Sequence, residues 1–284
     1  MYLCTHKRVL WPYGLHKMVG VAHSVRASDC GPEGSRFDPD HPPRKAVVNK
    51  AIAFSFSICG VGISGNSEIA NLKFINTKNM KQEINPKDSG REEAFNLWIK
   101  SPMPMVTLTK TFDITRVRRV AKKRGLKLNM LLCWCIGRAA CQIKEFFVIP
   151  ENGKLFKYDR LAVNVIVNND RGGINSCDIP FVDSLEQFNA DYIRMTESVK
   201  TSCESIFNED YMIVGTSAVV ATELDCIVNQ YTDLFSNPMV MWGRYRKRWL
   251  KTTLPISFQF HHVQMDGGEA AQFLESLQRS FDAL

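Results

Sequence analysis

Phe260-His261-His262-Val263-Gln264-Met265-Asp266-Gly267-Gly268 ends the clearest strand pattern in the chain and leads into its last helix pattern. Upstream, Thr253–His261 alternates, with Leu254, Ile256, Phe258 and Phe260 on one face of the pleat. Downstream, Ala270, Phe273, Leu274, Leu277 and Phe281 recur at helical spacing within Glu269–Leu284. A strand, a glycine-assisted turn and a helix start set the second imidazole at a rim, with Asp266 close by to brace the turn. Of the 6 histidines, only His261 and His262 lie beyond Met80. A reaction that needs an imidazole base near neutral pH has no other source there. A lone histidine on a strand is commonly a core or edge residue, but two histidines followed by an aspartate and a glycine point to a base.

The pattern continues on the N-terminal side. Arg91–Lys100 reads as a short helix and Met105–Ile114 as a strand. Thr115 is the expected N-cap of a helix over Arg116–Arg124, and Gly125 is its expected stop. Asn129–Lys144 is a mostly apolar helix that should be deeply buried. Leu161–Val167 is strand-like, and Ser184 caps a long amphipathic helix over Leu185–Cys203. Met212–Val220 and Met239–Tyr245 complete the strand set. Helices mixed with strands of much antiparallel potential indicate an α/β protein.

Composition fits that class. The chain has 284 residues, 45% hydrophobic and 23% charged, which is ordinary for a globular protein. Its longest apolar stretch, Met130 to Ile143, is interrupted by Arg138 and is shorter than the ~20 residues a spanning helix needs. Neither a membrane partner nor a metal is expected. The 9 cysteines form no CxxC pair, and several lie in apolar runs, which suits free thiols in a reducing compartment, the cytoplasm.

The net charge of +7 raises the question of nucleic acid, but its placement argues against it. Residues 1–79 hold 10 Lys+Arg against 5 Asp+Glu, and the remainder holds 26 against 24. Two basic clusters, Arg116–Arg124 and Arg244–Arg248, are expected to be solvated faces or a local phosphate contact rather than a duplex-binding stripe. Residues 1–79 show no sustained periodicity. Val21 to Phe37 resembles the peptide obtained when a transfer-RNA gene is read as protein. The expectation is an unstructured extension over 1–79 from a mis-assigned upstream reading frame, with a genuine disordered or membrane-associated extension as the alternative.

His261-His262-Val263-Gln264-Met265-Asp266-Gly267 resembles the HHxxxDG signature of the coenzyme A-dependent acyltransferases, and more specifically of the chloramphenicol acetyltransferase family. The likeness runs over 80–284, through Arg91-Glu-Glu-Ala-Phe, the Thr107–Ile114 strand, Gly125-Leu-Lys-Leu, Gly243-Arg-Tyr, Leu254-Pro-Ile-Ser-Phe-Gln-Phe and Phe273-Leu-Glu-Ser-Leu-Gln. It implies a two-layer sandwich in which a large mixed β-sheet is packed by helices. It also implies acetyl transfer from acetyl-CoA, a co-substrate and not a permanently bound cofactor, to a small hydroxylated acceptor such as chloramphenicol, hence antibiotic resistance. A homotrimer with sites between subunits follows from the same resemblance.

The implied roles are His262 as the base, Asp266 as a structural aspartate and Arg91 as its partner. Trp98 matches an aromatic residue against the acceptor, and Arg244 and Tyr245 match positions associated with coenzyme A. One departure stands out. The family's Ser-x-x-Pro-Trp stretch, whose serine steadies the oxyanion, is replaced by Val214-Gly215-Thr216-Ser217-Ala218-Val219-Val220. The ungapped match falls on Gly215, which leaves Thr216 or Ser217 as the candidate donor. Losing such a donor typically costs ~100- to 1,000-fold in rate. Two rivals remain at this stage: acyl transfer to or from a lipoyl group, and a pocket that binds without turnover.

Overall fold

The structure, a computed structural model, describes residues 81–232 and 235–284. The expected extension over 1–79 lies outside the described residues. A seven-stranded mixed sheet carries the fold. Its strands are β2 (Met105–Asp113), β5 (Leu161–Asn168), β6 (Ile174–Pro180), β7 (Met212–Val219), β8 (Met239–Gly243), β9 (Arg246–Arg248) and β10 (Lys251–His261). They run in the order β2-β10-β8-β7-β5-β6, with β9 paired to the start of β10. The β5–β7 and β7–β8 pairs are parallel and the other pairs are antiparallel. A small antiparallel sheet joins β1 (Lys81–Ile84), β4 (Lys154–Tyr158) and β3 (Val148–Glu151).

Helices α2 (Thr115–Arg124), α3 (Leu128–Ala140), α4 (Leu185–Ser202) and α5 (Gly267–Asp282) pack against the large sheet and one another. Pleat parity decides which residues they cover. Val163, Val165, Met212, Val214, Val240, Trp242, Ile256, Phe258 and Phe260 are buried in one core. Phe258 packs on Phe273 of α5 at 4.5 Å between ring centroids, and Phe146 and Phe260 stack on it at 5.7 and 5.2 Å. Rings of this size dominate core energetics, and deleting one from such a core typically costs ~3–5 kcal/mol. Met130 through Gly137 of α3 are buried without interruption, so this helix is core on every side. Gly137 permits that closeness, because a Cβ there would meet Phe181 at 2.4 Å.

Some local expectations need correction. Thr115 is the first residue of α2 rather than its cap. Asp113 Oδ1 accepts from Thr115 N at 2.9 Å and from its hydroxyl, while Thr115 Oγ1 accepts from Thr252 N at 2.8 Å. The threonine therefore ties α2 to β10. The apolar helix expected to Lys144 ends at Ala140, with a 3₁₀ turn at Lys144–Phe147. Gly125 (φ 66°) stops α2 and Ser184 caps α4, as expected. Cys203 adopts φ 60° at the end of α4.

Candidate active site

The last ladder bonds of β10 set up the site. His261 pairs with Met105 of β2, and His262 N then donates to Pro104 O at 2.8 Å. Gln264 N turns back to His261 O at 2.8 Å, and Asp266 N-caps α5, its own N–H held by Glu269 Oε2 at 3.0 Å. The chain thus changes from strand to helix within five residues, and both histidines sit at the bend.

Arg91 clamps that bend. It precedes the short helix α1 (Glu92–Trp98). Its Nη1 donates to Asp266 Oδ2 at 2.5 Å, and its Nη2 to Asp266 Oδ1 and His262 O, both at 2.8 Å. Its Nε donates to Val263 O at 3.0 Å. The fork geometry of arginine suits a paired carboxylate, and a lysine has no such set of donors. The guanidinium holds the Asp266 carboxyl below its ordinary range, and the carboxylate raises the arginine in turn. Asp266 was legible as a partner of Arg91; the two backbone carbonyls were not, since no side-chain pattern announces them.

His262 is half-open, its side chain 31% exposed. Its Nδ1 is buried 3.1 Å from Asp266 Oδ1 but is not aligned for a hydrogen bond. The open side of the ring is therefore Nε2. At the C-terminal end of α1, Trp98 lies flat on the imidazole, with centroids 4.8 Å apart and planes 6° from parallel. The structure thus brings His262, Asp266, Arg91 and Trp98 into one cluster, with the tryptophan against the imidazole.

His261 does different work. It is 2% exposed, and its Nδ1 accepts from Val263 N at 3.0 Å, which puts the ring proton on Nε2. Burial, with the neighbouring His262 as a lesser cause, lowers its pKa from 6.5 to about 4. The unfolded imidazole takes its proton near 6.5 while the folded one resists until about 4. This contribution to stability is full above pH 6.5 and falls as the pH drops towards about 4. Its whole range is of order 3 kcal/mol. Urea unfolding of a His261→Gln protein should show a flatter stability profile over that window than wild type. Parallel profiles would remove this account of His261.

The other candidates lie apart from the cluster. A cavity of about 310 Å³ opens on the sheet face opposite the helices. Its wall includes Asn164, Asp178, Gly215, Met239 and Gln259, and neither His262 nor Trp98. Gly215 leaves room that Met239 takes, since a Cβ at 215 would sit 2.0 Å from its sulfur. Thr216 points to the helix side: it is 2% exposed, its hydroxyl donates to Asn164 O at 2.7 Å, and Cys133 Sγ is 3.8 Å away. One residue of pleat separates it from the cavity face, and its hydroxyl is engaged by Asn164 O. Ser217 shares the parity of Gly215 and is half-buried. Arg244 and Tyr245 follow β8, and Arg118 lies over the Tyr245 ring at 5.4 Å. They stand near the opposite end of β10 from His262, ~25 Å away at strand rise.

Sequence reading also missed the polar pair inside the cavity. Asp178 is 3% exposed, accepts from Asn164 Nδ2 at 2.7 Å and from Asn208 N at 2.9 Å, and has its pKa raised by burial. Gln259 donates to Thr107 Oγ1 at 3.1 Å and to Asn229 O at 3.0 Å, while its Oε1 is buried without a partner. An Asn within Leu161–Asn168 and a Gln between two phenylalanines were the available signals.

A large mixed sheet packed by helices, ending in a clamped histidine turn, defines a two-layer acyltransferase-type sandwich. The chloramphenicol acetyltransferase family matches residues 80–278, and the chain belongs to that family. It is 23% identical over 180 residues to chloramphenicol acetyltransferase 3 of Escherichia coli, covering 61% of this chain and 83% of that one. It is 26% identical over 208 residues to a chloramphenicol acetyltransferase of Clostridioides difficile, covering 69% and 94%. Among solved structures, a chloramphenicol acetyltransferase aligns with a TM-score of 0.63 at 19% identity, over 71% of this chain and 100% of that one. A truncated catalytic core of a 2-oxoacid dehydrogenase complex from Thermoplasma acidophilum aligns at 0.52 and 15% identity, over 71% and 97%.

Proposed function

We propose that the chain transfers the acetyl group of acetyl-CoA to a hydroxyl of a small molecule, with chloramphenicol the first acceptor to test. The observation that carries this reading is the His262 ring, with Nδ1 turned to the Arg91–Asp266 clamp and Nε2 to the open side. Neutral Nε2 takes the proton of the acceptor hydroxyl, whose oxygen attacks the thioester carbonyl. The tetrahedral oxyanion collapses to the acetyl ester, and the departing thiolate of coenzyme A receives the proton from the imidazolium. The Trp98 face limits the tilt of the ring. The span from His262 to Arg244 and Tyr245 suits an elongated co-substrate whose phosphates meet an arginine at one end while its thioester meets the base at the other.

The acceptor is placed in the cavity of a neighbouring subunit in a homotrimer. Two observations support this: His262 is off the cavity wall of its own chain, and large apolar residues stand exposed around both sites. Ile166, Phe207 and Phe235 are 42%, 71% and 68% exposed by the cavity, and Leu97 and Met103 are each 64% exposed near Trp98. The assembly is proposed for the cytoplasm. Release of free thiol from acetyl-CoA on adding chloramphenicol, followed by isolation of the acetyl ester, tests the reaction. Saturable binding of chloramphenicol or coenzyme A with no ester formed would replace the enzyme by a binding protein, the outcome that Gly215 favours.

The boundary at Met80 belongs to the same proposal. A chain that starts at Met80 is expected to match the full chain in melting temperature and in thiol release within twofold. A lower melting temperature, or a loss of thiol release beyond about tenfold, would assign residues 1–79 a part in the domain.

A further inference from the structure

The basic face of α2 and a basic residue far from it in sequence meet on one surface. Arg118, Arg119, Lys122 and Lys123 of α2 and Lys247 of β9 line an open groove of about 510 Å³. The tip of the β9–β10 hairpin, Trp249-Leu250, closes one side of it. We propose that this groove and hairpin tip form a docking surface for an anionic phospholipid membrane at the far end of β10 from His262, beside Tyr245, on which Arg118 of the lining lies.

The charge is uncompensated. Every charged residue in the lining is a cation. The acids nearby are held by other groups: Asp113 by Lys251 and Thr115, Glu186 by Arg124, and Glu223 and Asp225 by Arg246. Among the described residues, no carboxylate lies within 4.0 Å of the side-chain nitrogens of Arg118, Arg119, Lys122, Lys123 or Lys247. The apolar tip is equally unpartnered: Trp249 is 92% exposed and Leu250 82%. Trp249 also adopts φ 44°, a left-handed conformation that glycine takes freely and a large side chain does not. A bulky indole kept at that position, facing water, is a feature that hairpin geometry alone would not select.

An anionic bilayer satisfies both halves. Lysines and arginines near its surface are attracted through the headgroup phosphates, additively and within a Debye length. A tryptophan sits at headgroup level with its ring towards the acyl chains, and a leucine beside it gains by leaving water. Nucleic acid would answer the cations but leave Leu250 in solvent. The contact is peripheral, since no helix among the described residues is long and apolar enough to cross a membrane. It also differs from the sequence expectation of no membrane partner, because only the fold brings the α2 cations, Lys247 and the tip together.

Co-sedimentation of the full chain with vesicles of phosphatidylglycerol and phosphatidylcholine, against phosphatidylcholine alone, tests the proposal. Binding is expected on the anionic vesicles only, and it should fall at least ~10-fold between 0.1 and 0.5 M salt as screening shortens to a few ångströms. Trp249→Ala with Leu250→Ala should weaken it ~10-fold or more, and so should Arg119→Glu with Lys122→Glu, with melting temperatures and thiol release as wild type. Absence of binding to anionic vesicles, or equal binding to both compositions, overturns the proposal. So does preferential binding of duplex nucleic acid, or a raised KM for acetyl-CoA in the charge-reversed protein with vesicle binding intact.

Discussion

Acetyl transfer by a His262→Ala protein is expected to fall by ~10²- to 10⁴-fold, the usual contribution of a positioned general base. The loss should appear in kcat, because the imidazole acts on the acceptor proton in the transition state and contributes little to holding coenzyme A. The fold should survive, since the His262 contacts that matter to the turn are made by its backbone: N to Pro104 O and O from Arg91 Nη2. Removing the ring leaves Trp98 without its stacking face, a packing loss at a half-exposed site. Wild-type turnover in the alanine protein would end the base assignment and the direct-transfer mechanism with it.

The second large effect falls on stability. Arg91→Ala removes four donated hydrogen bonds at once and strands Asp266, His262 O and Val263 O. Breaking a buried pair costs ~3–5 kcal/mol, but the Asp266 side chain is 49% exposed and water will meet part of the demand. A loss of ~2–3 kcal/mol is the expected result by urea unfolding at neutral pH. Arg91→Lys should recover only part of it, because an ammonium cannot reach a carboxylate and two carbonyls in the same fork. Activity in both variants should drop further than the unfolded fraction explains, since the turn that carries His262 loses its brace. A variant as stable as wild type would show that the clamp is ornamental.

The sequence disclosed the long elements because their patterns were strong. The alternation of Leu254, Ile256, Phe258 and Phe260 could only be a strand, and the spacing of Ala270 to Phe281 could only be a helix. β1, β3, β4 and β9 are three to five residues long, too short for either period to declare itself, and β6 carries its polar residues towards the cavity. At the site, the resemblance supplied Arg91, Asp266, His262 and Trp98, and geometry shows them in contact. The side of the sheet that Thr216 takes was not legible, because identity and neighbourhood in sequence do not fix which face of the pleat a residue takes. Asp178 and Gln259 escaped notice because polar residues in a strand read as solvent-facing until the opposite wall of a cavity is known.

The pairing of β2 with β10 also sets a constraint on synthesis. Met105–Asp113 has its main ladder with Lys251–His261, near the other end of the chain, and Arg91 waits for Asp266. A ribosome-bound chain that has not yet extended through β10 lacks both the strand that pairs with β2 and His262. Loop closure over that separation comes late and slowly. Until β10 is available, β2 is a lone edge that a chaperone or a premature neighbour can reach first.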